Sequence, residues 1–227
     1  MTKSAHPRQL ALTLPHAESF AREDFLEGPG NAAALALIES WPDWANAIIM
    51  LVGEPGSGKS HLASIWAERA GARAFAARSL AVADVPEALA TGALLLEDLD
   101  PATVDQPALF HLLNLAREQG ADLLMTARTL PASWTLAIRD LASRLRAVPV
   151  VRLLPPDEQL VRALMVKFCA DRQMRIDEGT INFLVPRIER SFAAARAIIE
   201  ALDGEALRLG RPITRALAAE VLKTRQG

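Results

Sequence analysis

The 227-residue sequence contains one cysteine, Cys169. A single cysteine excludes an internal disulfide and fits a reducing compartment, so the expected location is the cytoplasm. Cys169 stands at helical spacing among apolar residues and reads as core. No charge sign dominates: 25 Lys and Arg stand against 27 Asp and Glu, a net charge of −2. That balance argues against a surface built mainly for nucleic-acid phosphates, while leaving room for a local basic patch. Long apolar runs are missing too. "AALALIESW" and "AIIMLV" are both too short to span a membrane, and "MTKSAHPRQLALTLPH" lacks the apolar h-region of a secretory signal. His6, His16 and His111 show no metal-ligand spacing. What is abundant is hydrophobic residues, at 51%, enough for a proper core and too many for a disordered chain.

Those hydrophobic residues fall into an ordered pattern. "AIIMLVG" (47–53), "ALLLEDLD" (93–100), "DLLMTA" (122–127) and "VPVVRLL" (148–154) are short apolar runs of the kind buried on both sheet faces. "ARAFAA" (72–77) is a weaker strand. Between them lie helical patterns: one opening after "GPG", where Asn31 can cap it, one from Gly58 to about Ala70, one over 105–119 ending at Gly120, and one over "ASWTLAIRDLASRL" (132–145). This alternation predicts an α/β fold with a parallel sheet and helices on both faces. At "LLPPDEQ" two prolines stop the last strand and Asp157 can cap a new helix. Only helical patterns follow. The expected division is an N-terminal tail (1–18), an α/β domain (19–154) and a small all-helical domain (155–227). Trp41, Trp44, Trp66 and Trp134 read as core or interface.

"GEPGSGKS" matches G-x-x-x-x-G-K-[S/T] at every fixed position and lies between a buried strand and a helix. Its residues are Gly53, Glu54, Pro55, Gly56, Ser57, Gly58, Lys59 and Ser60. The glycines allow a tight turn whose N–H groups point at phosphate oxygens, and the helix N-terminus adds partial positive charge. Lys59 would reach the outer phosphates of ATP, and Ser60 would bind Mg²⁺. The backbone N–H of His61, in the first helical turn, would add a phosphate contact. The bland alternative is a Gly/Pro turn matching by accident. A loop of this kind needs a carboxylate at the end of a neighbouring strand. "LLLEDLD" supplies Glu97, placed to help hold Mg²⁺ through water, and Asp98, placed to polarise the attacking water. The alternative is a pair that caps the next helix.

From about Phe20 onward, these residues together resemble the AAA+ module of the bacterial initiator DnaA, and most of all the shorter DnaA-related Hda group of regulators. "EDFLEGPGNAAAL" is similar to the segment that lies beside the nucleotide base, which implies a role there for Phe25 and Leu26. "LLMTAR" resembles the sensor-1 strand end and puts Thr126 where a polar side chain meets the terminal phosphate or the water. "RDLASRL" resembles the arginine-finger box and puts Arg144 at the finger. "LLPPDEQLVRALMVKFCADRQMRIDEGTINFL" and "GRPIT" resemble the helical lid. The sensor-2 position carries Ala193, and Arg196, one turn on, is the candidate substitute. The resemblance leaves no room before Gly227 for the initiator's DNA-reading domain.

In Hda-like proteins a short N-terminal peptide resembling Q-L-[S/D]-L-P-L binds the sliding clamp, and "QLALTL" fits at Gln9, Leu10, Leu12 and Leu14; the alternative is an edge strand packed on the protein's own sheet. The resemblance therefore implies a regulator that binds ADP or ATP with Mg²⁺ and has weak ATPase activity of its own. It would dock on the DNA polymerase III clamp and promote hydrolysis of DnaA-bound ATP, restraining replication initiation. A homo-oligomer, such as a dimer, is expected, with DNA contacted only indirectly and no membrane involved. Competing readings are a DNA-binding replication factor, such as an initiator paralogue or helicase loader, and a small-molecule P-loop kinase.

Overall fold

The computed structural model describes residues 20–226. The expected peptide at Gln9, Leu10, Leu12 and Leu14 lies outside the described residues. Strand β1, Ile48–Val52, is buried along its whole length. Period two splits its side chains between two cores: Ile48, Met50 and Val52 face one, Ile49 and Leu51 the other. A strand covered on both faces needs apolar residues at every position, which is what "IIMLV" supplies.

Four more strands complete a parallel sheet: β2 (Arg73–Ala76), β3 (Ala93–Leu99), β4 (Asp122–Ala127) and β5 (Val150–Arg152). Their spatial order is β2-β3-β4-β1-β5. The acidic pair was expected on a strand neighbouring β1; instead β4 lies between β1 and β3, which bears the pair. Helices α1 (Ala32–Glu39) and α2 (Lys59–Ala70) cover one face through Leu35, Ile38, Leu62 and the fully buried Trp66. On the other face lie the short α3 (Val85–Ala88), α4 (Gln106–Gln119) and α5 (Arg139–Arg146), with Leu109, Leu112, Leu113, Leu141 and Leu145 in its core.

Two local expectations need correcting. The helix expected over 132–145 begins only at Arg139. The Gln106 side-chain oxygen accepts the N–H groups of Ala137 and Ile138, at 2.9 and 3.2 Å, and so holds the preceding segment out of the helix. Asn31 stands at the start of α1 but does not cap it with its side chain. Its amide turns back, accepting from Gly28 N–H at 2.8 Å and donating to the Leu26 carbonyl at 3.0 Å. It therefore fixes the segment that carries Phe25 and Leu26.

The remaining helices, α6 (Glu158–Asp171), α7 (Glu178–Leu184), α8 (Phe192–Leu209) and α9 (Arg215–Gln226), share a separate core that includes Val161, Leu164, Met165, Leu184, Ile199 and Leu202. Asp157, Asp177 and Ser191 cap α6, α7 and α8 by accepting the N–H three residues on. Cys169 is buried in this core, which pushes its thiol up to about 11. The helices meet the sheet domain at the phosphate loop, where Phe192 N–H donates to the Gly56 carbonyl at 2.9 Å. A second tie is the ion pair between Lys167 and Asp24, at 2.6 Å. Among the described residues, no helix is long and apolar enough to cross a membrane.

Candidate nucleotide site

The loop after β1 is shaped by three glycines, each for a different reason. Gly56 and Gly58 have φ of +72° and +94°, a region costly for residues with a Cβ. At Gly53 the constraint is space: a Cβ there would lie 2.7 Å from both the Leu153 carbonyl and Ser57 Oγ. Gly53 N–H also donates to the Ala127 carbonyl at 3.2 Å, tying the loop to the end of β4. Lys59 is only 7% exposed, and its ammonium donates to the Gly53 and Glu54 carbonyls at 2.7 and 2.9 Å. One of its three hydrogens is left for an incoming acceptor. Burial holds the pKa of Lys59 below the usual lysine range, opposed by the charge of Asp98. A bound phosphate would reverse that shift.

These features fit a phosphate chain. Ser57 Oγ is buried without a hydrogen-bond partner among the described residues, an orphaned polar atom inside the loop. A cavity of about 290 Å³ opens beside the loop, lined by Gly56, Gly58, Lys59, Ser60, His61 and, from α8, Ala193 and Arg196. Arg196 also lies over the Phe168 ring, 5.3 Å from its centre. Glu54 and Pro55 are exposed at the loop's outer edge.

Phe25, expected beside the nucleotide base, is buried between two rings. It stacks on Phe192 with centres 6.4 Å apart and meets His61 edge-on at 5.3 Å. Leu26 packs against the helical core. His61 Nε2 lies 3.0 Å from the Ala21 carbonyl, and burial pulls the ring's pKa below the ordinary histidine value.

The acidic pair sits where β3 breaks register. Pairing with β4 shifts between Leu96 and Leu99, and Asp98 takes φ +52°, unusual for a residue with a side chain. Its N–H donates to Thr126 Oγ1 at 3.0 Å, and Thr126 is 1% exposed. Thr126, on the neighbouring strand β4, thus ties the irregular stretch of β3 at Asp98 to the sheet. The bulge leaves the Asp98 side chain exposed, while Glu97 is half-buried. Burial raises the Glu97 pKa, the charge of Asp98 raises it further, and a hydrogen bond from Ser60 opposes both. Among the described residues no group of three or more His, Cys, Asp or Glu could hold a metal. A Mg²⁺ held by Ser60 and Glu97 would therefore take most of its oxygens from phosphate and water, the usual arrangement for this ion. The residues present fit it in that form.

Arg144 lies apart from this cluster. Its guanidinium rests over the Phe110 ring of α4, 5.3 Å from the centre, and none of its contacts among the described residues is to the phosphate loop. The sequence reading passed over Arg128, which follows β4, and Phe192, whose backbone and ring both reach the site. "LLMTAR" held the signal for Arg128; only the strand order shows that this strand ends beside the loop.

A phosphate loop on β1, an acidic pair on β3 and a fourth strand between them define the AAA+ form of the P-loop fold. No family model matches the chain. Among solved structures it is similar to domain III of the Thermotoga maritima replication initiation protein DnaA, at 21% identity and a TM-score of 0.75, over 90% of this chain and 96% of that one. It is also similar to the replication initiator DnaA bound to AMPPCP and single-stranded DNA, at 18% identity and a TM-score of 0.63, over 84% of this chain and 68% of that one. A third likeness is to the Thermotoga maritima RuvB Holliday junction branch migration motor, at 14% identity and a TM-score of 0.71, over 91% and 72%. At these identities the likeness is one of fold.

Proposed function

We propose that this chain is a DnaA-related AAA+ regulator of the Hda kind. It binds ADP or ATP with Mg²⁺, docks on the replication sliding clamp through Gln9, Leu10, Leu12 and Leu14, and presents Arg144 to the ATP held by DnaA. DnaA then hydrolyses that ATP, and initiation is restrained. The observation that carries the nucleotide part is the loop itself: Lys59 buried against loop carbonyls, an orphaned Ser57 hydroxyl and an acidic pair across β4. The similar DnaA structure with bound AMPPCP supports the same reading.

In this proposal Lys59, the loop N–H groups and the His61 N–H bind the phosphates, while Ser60 and Glu97 hold Mg²⁺. Asp98 polarises water for a weak hydrolysis by the chain's own site, and Arg196 takes the place of a sensor-2 arginine. Arg144 works in trans. An arginine carries a permanent charge on a planar fork, suited to charge developing on a transferred phosphoryl group. Its resting place over Phe110, away from this chain's own loop, supports a role toward a second molecule. The test is ATP turnover by DnaA in the presence of clamp and DNA, with wild type or Arg144→Ala. Equal stimulation by both would sink the mechanism. A clamp pull-down with Gln9→Ala and Leu10→Ala tests the docking.

A second reading, a DNA-binding replication factor, draws support from the likeness to DnaA bound to single-stranded DNA. It predicts clamp-free DNA binding that weakens steeply with salt. Weak, salt-insensitive binding would count against it.

A further inference from the structure

Charge is spread unevenly along this chain. Residues 155–227 carry 12 Lys and Arg against 10 Asp and Glu, whereas residues 1–154 carry 13 against 17. A local basic surface therefore belongs on the helical domain. Four arginines there are neutralised: Arg162, Arg172, Arg190 and Arg208 each pair with a glutamate. Arg187 and Arg215 are not. Both are exposed, and neither makes an ion pair with a described residue. They meet instead on one ring. Their guanidinium carbons lie 4.1 and 4.7 Å from the centre of Phe183, so the two charges stand within the sum of those distances of each other. Arg187 also donates to the Phe183 carbonyl at 2.8 Å. Phe183 packs against the helical core, which gives both arginines a fixed seat. Two penalties go with this arrangement. The like charges repel. Arg215 is also the first residue of α9, where the helix dipole disfavours a cation, and the first turn of α9 holds no acidic residue to offset it. Ring stacking returns only a modest attraction at an exposed site. An anion bound to both guanidiniums relieves both penalties.

We infer that Arg187 and Arg215 are a direct contact for the DNA backbone, holding phosphates without reading bases. Among the described residues, α7, the turn Val185–Arg187 after it, and α9 carry no exposed large apolar side chain. This surface therefore lacks the apolar centre of a protein interface, whereas phosphate contacts need none. A DNA strand offers a charge at every nucleotide, so two guanidiniums held this close can each take a phosphate. Two contacts are few. They give weak binding and a shallow salt dependence, with log affinity falling against log salt at a slope of about −2 for duplex DNA. That is far from the steep fall predicted for a DNA-binding replication factor. The contact serves DNA that another protein already holds near the chain, where a high local concentration makes a weak grip count. The resemblance implies only indirect contact with DNA, and this inference goes beyond it.

The experiment measures fluorescence anisotropy of a short fluorescein-labelled DNA duplex titrated with the full chain, over about 20 to 200 mM NaCl. Wild type is compared with Arg187→Gln, Arg215→Gln, both together, both changed to lysine, and Arg208→Gln. Each single glutamine variant is expected to reduce the salt slope by about 1. The double glutamine variant should weaken binding about tenfold at the lowest salt. The double lysine variant, which keeps the charges, should retain most of the affinity. Arg208 is exposed but already paired with Glu205, so Arg208→Gln should leave binding unchanged. No binding by wild type at the lowest salt overturns the proposal. So does a double glutamine variant that binds like wild type, or an equal fall in Arg208→Gln. A polyglutamate peptide of matching charge is titrated in parallel. If it binds as well as the duplex and is lost in the double glutamine variant, the surface fits an acidic protein and the DNA inference falls. None of these outcomes bears on nucleotide binding or clamp docking, which the turnover and pull-down assays test separately.

Discussion

The phosphate loop and the α5 face use their cations in opposite ways. Lys59 is buried, donates to two carbonyls of its own loop, and has its glycines, hydroxyls and carboxylates around it from the same chain. Arg144 lies half-buried across a phenylalanine ring, with no carboxylate partner among the described residues. The first arrangement is an anion site assembled in advance by the fold. The second is a charge stored against an aromatic face, where a modest cation–π attraction holds it without neutralising it. A charge parked in this way can be transferred to a stronger anion at little cost. The difference teaches that one chain can carry an anion site built in advance at one place and a stored, unneutralised charge on another face, which is what the proposed function asks of it.

The most severe test of that contrast is Arg144→Ala. Stimulation of DnaA-bound ATP hydrolysis is expected to fall about 10³-fold, while the chain's own ADP affinity stays within about twofold. Turnover assays and a nucleotide titration on the same preparation check both. A matching loss of ADP affinity would erase the distinction between the two regions. Phe25→Ala probes the packing behind the loop. The ring is 3% exposed and wedged between Phe192 and His61, so its loss should cost about 3 kcal/mol or more in urea unfolding. Lys59→Ala should weaken ADP binding roughly 100-fold, equivalent to about 3 kcal/mol. Its urea midpoint should stay at or above that of wild type, because burial already disfavours the ammonium in the free protein.

Smaller effects sharpen the electrostatics of the loop side. The carboxyl of Glu97 has a raised pKa, so its ionisation at neutral pH works against the folded state. Glu97→Gln should therefore raise the melting temperature by about 2 °C while weakening the Mg²⁺ dependence of triphosphate binding. The weakest expected effect is at His61. The pKa of its ring is lowered on folding, so its stability contribution is present above the unfolded value of 6.5 and is lost as pH falls below it toward the folded value. Wild type should lose stability between pH 7.5 and 5.5 in urea titrations, and His61→Gln should lose less over that interval.

Much of the α/β framework was legible because its signals are local. "IIMLV", "ALLLEDL" and "DLLMTA" can be buried only as strands covered on both faces, and Gly53, Gly58, Lys59 and Ser60 sit at fixed spacing in one turn. Other features were hidden because they depend on distant partners. The late start of α5 depends on Gln106, some thirty residues earlier, capturing two backbone N–H groups. The backward turn of the Asn31 amide depends on Gly28 and Leu26 already being folded against it.

The sequence alone determined that a phosphate loop would form between a buried strand and a helix, since that chemistry is written in eight consecutive residues. It also determined that carboxylates would stand at the end of β3. Only the tertiary structure decided how these parts meet. Parallel pairing inserted β4 between β1 and β3, which set the Thr126 hydroxyl to accept the Asp98 N–H and tied the Ala127 carbonyl to the loop's first glycine. Strand order is set by the packing of whole faces against one another, and no local spacing encodes it.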